Sequence, residues 1–214
     1  DAEFGDLDIT DDITITGTGA YSTTIDANQA GRSIEIYPGV SATLTDLTIS
    51  NGFIASGNGH GSAIYMQQSD VTLTNVTISD NASWTYGTIR ADDSTITLNN
   101  VQFNTNSPYI GAMMYVVNST VTMQDSGADG NTSAGVAGIY AEDSTVSILN
   151  SWFKNNDTGN LFQWQNPPGA MSMPAGYILH MQGSGTAKLS DIQASNNIGR
   201  AVTSIGNATI EISS

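Results

Sequence analysis

Apolar and polar side chains alternate along this chain in short runs, and the runs recur at a fixed spacing. Val71 and Leu73 are apolar while Thr72 and Thr74 are polar, the period of two that belongs to a half-buried β-strand. After a polar corner a second short strand follows, carrying Val76 and Ile78 in one repeat and Val101 and Phe103 in the next. A third strand opens each unit, as Ala63–Tyr65, Thr88–Arg90, Met113–Tyr115, Gly138–Tyr140 and Ile178–His180.

The clearest units start at Ser69, Ser94, Ser119 and Ser144, a step of 25 residues each time. Weaker copies flank them, from Ile13 and Ala42 upstream and from Ala187 and Ala208 downstream. One apolar column therefore reads Ile15, Leu44, Leu73, Leu98, Met123, Ile148, Leu189, Ile212, with steps of 29, 29, 25, 25, 25, 41 and 23. Three short strands per unit make one turn of a triangular solenoid, and a single turn cannot bury its apolar side until a neighbour stacks on it. The expected fold is all-β, a right-handed parallel β-helix of about eight coils with three short strands per coil. Residues 1–214 are expected to form a single domain. The long step implies an insertion, a loop at about 160–176, where Pro167, Pro168 and Pro174 forbid regular structure. Leu161, Phe162, Trp164, Pro167, Met171 and Met173 make that loop apolar, a candidate partner surface.

Two polar columns accompany the apolar one. Asp46, Asn75, Asn100, Asp125, Asn150 and Asp191 stand two residues after the core column, and Asn81, Asn106, Asn131, Asn156 and Asn197 form a second. Asn and Asp tolerate the left-handed backbone of a tight corner. The first column is expected to form a ladder in which each side chain bonds the backbone of the next turn.

The opening segment, with Gly5–Thr10, Ile13–Gly19 and Thr24–Asn28, resembles the start of the β-helix in the CSLREA-type family of exported bacterial and archaeal surface proteins. Leu47–Gly52 and Leu73–Asn81 are similar to the repeats of that family and of polymorphic outer-membrane proteins. The resemblance covers nearly the whole chain and implies a pectate-lyase-like superfold and a surface location. It implies no activity. The Leu-Arg-Glu-Ala segment that precedes the helix in the family is missing here. Localisation is therefore expected outside the cell or at its surface, after removal of a leader and an N-terminal segment.

Composition changes this picture only at the edges. Cysteine is absent, so disulfides, thiolate metal sites and cysteine nucleophiles are excluded. Twenty acids against five bases give a net charge of −15, which argues against nucleic acid and anionic membranes as partners. No apolar run is long enough for a transmembrane helix. No cofactor is expected beyond weakly bound calcium, which clustered carboxylates favour.

Candidate chemistry is sparse. Asp92 and Asp93 occupy the same place in their repeat as Glu142 and Asp143, with Arg90 beside the first pair. Two coils apart they would stand roughly 10 Å from each other, close to the spacing of inverting glycosidases. These five residues are weak catalytic candidates on a solvent wall, with Trp152 or Trp164 available to stack on sugars. His60 sits in a loop away from acidic pairs in its own coil, and His180 is expected as a packed histidine in an apolar strand. Six glycosylation sequons stand at Asn75, Asn81, Asn118, Asn131, Asn156 and Asn207.

No amphipathic cap is visible at either end. Unpaired parallel strand edges invite another copy, and a head-to-tail contact propagates rather than closes. The expected partner is therefore the chain itself, through Leu7, Ile9, Ile13, Ile15, Ile205, Ile210 and Ile212, with glycans as the alternative. The leading expectation is a non-enzymatic structural or cell-surface protein that self-associates; the alternative is a polysaccharide-binding or polysaccharide-cleaving β-helix.

Overall fold

In a computed structural model, which describes residues 6–55, 60–110, 113–133, 135–157, 177–198 and 200–213, every strand pairs parallel to its neighbours. The first sheet has eight strands, from Leu7–Ile9 to Arg200–Gly206; the second has eight, from Ile13–Thr16 to Thr209–Ser213; the third has seven, from Thr24–Asp26 to Gln193–Ser195. Seven complete three-strand turns result, with two strands of an eighth, one third strand fewer than about eight full coils require. A short fourth sheet of Phe53–Ile54, Ala82–Tyr86 and Ser107–Ile110 flanks the middle coils. No helix occurs among the described residues.

The apolar column read from the sequence is a single row of hydrogen-bonded neighbours. Ile15 pairs with Leu44, and the row continues through Leu73, Leu98, Met123, Ile148 and Leu189 to Ile212. It runs unbroken across the long step, from Ile148 to Leu189. Its members from Leu44 to Leu189 are buried. Ile34, Ile64, Ile89, Met114, Ile139 and Leu179 line the first sheet inside, and Ile49, Ile78, Phe103 and Phe153 the third. The loop at 160–176 lies outside the described residues.

Each coil turns at three corners, and each corner residue has a left-handed backbone. The first corner uses Asp46, Asn75, Asn100, Asp125, Asn150 and Asp191; the second Asn51, Asp80, Thr105, Gly130, Asn155 and Asn196; the third Gln68, Asp93, Asn118, Asp143 and Gly183. The first-corner column does not bond the next backbone, as the sequence suggested. Its side chains bond one another: Asn75 Nδ2 donates to Asp46 Oδ1 and Asn100 Nδ2 to Asn75 Oδ1, each at 2.9 Å.

The backbone is satisfied one residue further on. A corner turns its following N–H out of the strand ladder, and a buried N–H must find a partner. Asn81 N donates to Asn106 Oδ1, Asn106 N to Asn131 Oδ1 and Asn131 N to Asn156 Oδ1, at 3.0–3.1 Å. The same amides donate inward, as Asn106 Nδ2 does to Ile78 O at 2.8 Å. Ser69, Ser94 and Ser119 repeat the device after the third corner, each backbone N–H meeting the Oγ of the next serine, as far as Ser144. These ladders hold the apolar prism in one register.

Candidate functional site on the outer face of the first sheet

Outward positions of the first sheet form a row one coil rise apart. Asp8 stands beside Glu35, then Tyr65, Arg90, Tyr115, Tyr140 and His180. The coil rise of about 4.8 Å is close to the separation at which aromatic rings pair well. The rings use it. Tyr115 and Tyr140 stack with centroids 4.4 Å apart and 15° between planes, and Tyr140 meets His180 at 4.9 Å. Tyr86, from the flanking sheet, meets Tyr115 edge-on at 4.7 Å and His60 at 5.4 Å. Arg90 lays its guanidinium 4.3 Å from the Tyr115 centroid, and Arg32 lies 5.1 Å from that of Tyr65.

Burial sets the protonation of this row. It pushes the Tyr65, Tyr115 and Tyr140 phenols up, Tyr115 furthest. It pushes His180 down, and it pushes His60 down with the positive charges of Arg90 and Arg32 acting the same way against Asp92. The row therefore carries protonated phenols and neutral imidazoles at neutral pH. Tyr140 Oη donates to Gln182 Oε1, and Arg90 pairs with Asp92 at 2.6 Å. Tyr140 is thus engaged by a side chain of the next coil and Arg90 by one of its own strand.

The acidic end is organised by Arg32, only 4% exposed. Its Nε donates to Asp6 at 2.9 Å, its Nη1 to His60 O at 2.9 Å and its Nη2 to Glu35. Asp6, Asp8 and Glu35 offer three carboxylate oxygens within 4.8 Å of one another. Oxygen donors of this kind suit calcium, although the sequence pointed for weak calcium binding to Asp92, Asp93, Glu142 and Asp143 instead. Here the Arg32 guanidinium already bridges Asp6 and Glu35. Desolvation outweighs it at Glu35 and raises that carboxyl.

Of the weak catalytic candidates the structure brings Arg90 and Asp92 into contact, with Asp93, Glu142 and Asp143 placed separately. Asp93 and Asp143 are exposed left-handed corners. Asp143 accepts Ser184 N at 2.7 Å and Ser184 Oγ at 2.9 Å, which holds its carboxyl below the usual range. Asp92 is bound to Arg90, and Glu142 stands two rungs away with Val117 between them. Two rungs are about 9.6 Å, at the far edge of the inverting spacing, and one of the two carboxylates is already ion-paired. His60 is nearer chemistry than its own coil suggested, because the next coil brings Arg90 and Asp92 to it. His180 is a buried wall residue on Tyr140.

Three sequons are corrected by burial. Asn81 and Asn131 are 0% exposed and Asn156 2%, with their amides committed to the ladder. The folded chain offers them to no transferase. Asn75, Asn118 and Asn207 are exposed. Among the end residues, Leu7, Ile13 and Ile212 are exposed at 44%, 42% and 69%. Ile15 and Ile210 are half-buried, and Ile9 is a core residue at 4%. The Ile205 side chain, and Leu161, Phe162, Trp164, Pro167, Met171 and Met173, lie outside the described residues.

Sequence reasoning missed the tyrosine row. Its signal was present: Tyr65, Tyr115 and Tyr140 follow an apolar residue at the same place in each opening strand, where Arg90 and His180 also stand.

The family model described as right-handed beta helix region matches residues 13–214. The chain belongs to the right-handed β-helix family. No curated protein matches this β-helix. Among solved structures, the β-helix is similar to an alginate lyase from Paenibacillus sp. str. FPU-7, at 12% identity and a TM-score of 0.32, over 100% of this chain and 94% of that one. It is also similar to the catalytic unit of a thermostable GH87 alpha-1,3-glucanase from Streptomyces thermodiastaticus strain HF3-3, at 10% identity and a TM-score of 0.19, over 97% and 59%. Likenesses this low carry no argument about activity.

Proposed function

We propose that this β-helix is a non-enzymatic structural protein of the cell exterior that associates with itself head to tail. The observation that carries the reading is the state of the two end coils. Among the described residues, strands Leu7–Ile9 and Ile13–Thr16 pair with the coil after them, and Arg200–Gly206 and Thr209–Ser213 with the coil before. Leu7, Ile13 and Ile212 stand exposed on three of these strands, beside an edge of the kind that serves as a template for strand addition.

A second copy stacked end to end would continue the second sheet in register. Ile13 and Ile15 stand in the columns that end at Ile210 and Ile212. Stacking one copy on the next continues both columns, and it sets Thr14 rather than an acid against Glu211. The engagement of Tyr140 and Arg90 on the wall of the first sheet supports the non-enzymatic part of the reading. The absence of cysteine and the resemblance to exported surface proteins support the location.

Sedimentation velocity across a concentration series, with electron microscopy of the same samples, tests it. The expected result is linear oligomers one solenoid wide. Ile212→Lys or Leu7→Lys, at exposed positions that leave the fold intact, should abolish them. A monodisperse monomer at high concentration, or oligomers indifferent to both substitutions, sinks the proposal.

A further inference from the structure

The outer face of the third sheet carries one large aromatic group on an otherwise polar surface. Its outward row is Thr48, Thr77, Gln102, Gly127, Trp152 and Gln193. Gly127 is the exception that matters. A Cβ there would fall 2.2 Å from Trp152 Cε2 and 2.3 Å from Nε1. The indole therefore lies flat across the preceding strand, in the space where another residue would raise a side chain. Of its two faces, one is on the sheet and the other is turned outward.

Beside the ring is a shallow hollow of ≈ 160 Å³ lined by Asp125, Asn150, Ser151, Trp152, Lys154 and Gln193. At roughly 30 Å³ per water it holds about five waters, small beside the pockets that enclose whole ligands. It suits one ring of a longer molecule lying along the surface. Asn150 Nδ2 donates to Asp125, and the next coil places Asp191 rather than an amide at this corner. The exposed Asn150 Oδ1 is left as an acceptor. Lys154 makes no ion pair among the described residues; its Nζ stands 5.9 Å from the indole centroid, at the far limit of a cation–π contact. The ammonium and the Gln193 amide add donors.

A flat apolar ring, flush with a polar surface and edged by donors and acceptors, matches the chemistry of a pyranose. Such a sugar has an apolar C–H face and a rim of hydroxyls. Charge decides the kind. Asp125, Asp129 and Asp191 stand on or beside this surface against Lys154 alone, on a chain of net charge −15, so a polyuronate would be repelled. The geometry points to a subsite for a neutral polysaccharide, with Trp152 as the stacking platform and Asn150, Lys154 and Gln193 as partners of the hydroxyls. It goes beyond the end-to-end reading and does not rest on it.

Affinity electrophoresis through gels holding soluble neutral glucans, mannans or xylans, with alginate and polygalacturonate beside them, tests the subsite on the whole chain. At least one neutral polymer should retard it. Trp152→Ala should raise Kd tenfold or more, while Trp84→Ala, which removes an indole 72% exposed on the flanking sheet, should leave it unchanged. Should Trp152→Ala fail to fold, titration of the unaltered chain decides: the bound polymer must shift the Trp152 indole N–H resonance. No retardation by any neutral polymer, retardation that survives Trp152→Ala, or binding confined to the uronates overturns the assignment. Sedimentation of the same samples without glycan reads self-association separately.

Discussion

A corner residue in this solenoid answers to one requirement, a backbone near φ = +50°. For an L-residue with a Cβ that region costs about 1–2 kcal/mol, and Asn and Asp recover part of it through local hydrogen bonds. The second corner meets the requirement with Asn51, Asp80, Gly130, Asn155 and Asn196, but the third of its six positions is Thr105, at φ 55°. A β-branched residue is poorly suited there. What holds it is the hydroxyl, which donates to Asp80 Oδ1 at 2.7 Å. An amide does the same elsewhere in the column, since Asn155 Nδ2 donates to Asp129 at 2.8 Å. Thr105→Asn should therefore keep the bond and shed the strain, raising the unfolding free energy by about 1 kcal/mol. Urea denaturation measures this; a loss of stability would show that the threonine methyl packs favourably.

At the scale of elements, the unit is the column rather than the strand. A strand of three to five residues is too short to be stable alone, and what it gains comes from the identical position above and below. Tyr115 illustrates the scale of that gain. It has ring neighbours on both sides and a guanidinium over its face. Pairs of this kind contribute about 0.5–1.5 kcal/mol each beyond burial, and a cation–π contact about as much. Tyr115→Leu keeps most of the buried area and loses all three, so it should destabilise the β-helix by about 2 kcal/mol in urea. A change under about 0.5 kcal/mol would mean the rings merely stand beside one another.

The same distinction explains what was legible in the sequence. Inward columns are chemically uniform, so Leu44, Leu73 and Leu98 announce themselves by repetition. The first-corner column was equally plain, because almost nothing but Asn, Asp or Gly tolerates that backbone. The wall row was not. Tyr65, Arg90, Tyr115, Tyr140 and His180 share a position but not a residue type, and what they share physically is a flat face that packs at the coil rise. Asp93 and Asp143, weak catalytic candidates in the sequence, stand at corners where the acid serves the turn. The Trp152 platform depends on Gly127, whose meaning appears only when the coils are stacked.

At the scale of the whole molecule, the two histidines tie stability to pH. Burial lowers both, and at His60 the charges of Arg90 and Arg32 act in the same direction against the weaker opposing pull of Asp92. Folded, they take up protons only at a lower pH than the ordinary value of 6.5; unfolded, they do so as the pH falls through it. The unfolded state then binds more protons, so stability rises with pH across this window. Their contribution is complete above 6.5 and is lost progressively on acidification towards the folded values. Glu35 works in the other direction and lower down. Its raised carboxyl holds a proton more tightly when folded, so it adds stability as the pH falls towards 4.5. The histidine effect should therefore be read as the pH falls from about 7 through 6.5. Urea midpoints should fall steadily over that interval, and the double variant His60→Gln/His180→Gln should flatten the profile. A slope that persists in the double variant would assign the effect to the carboxylates, and a wild-type profile already flat would mean that both imidazoles accept protons in place.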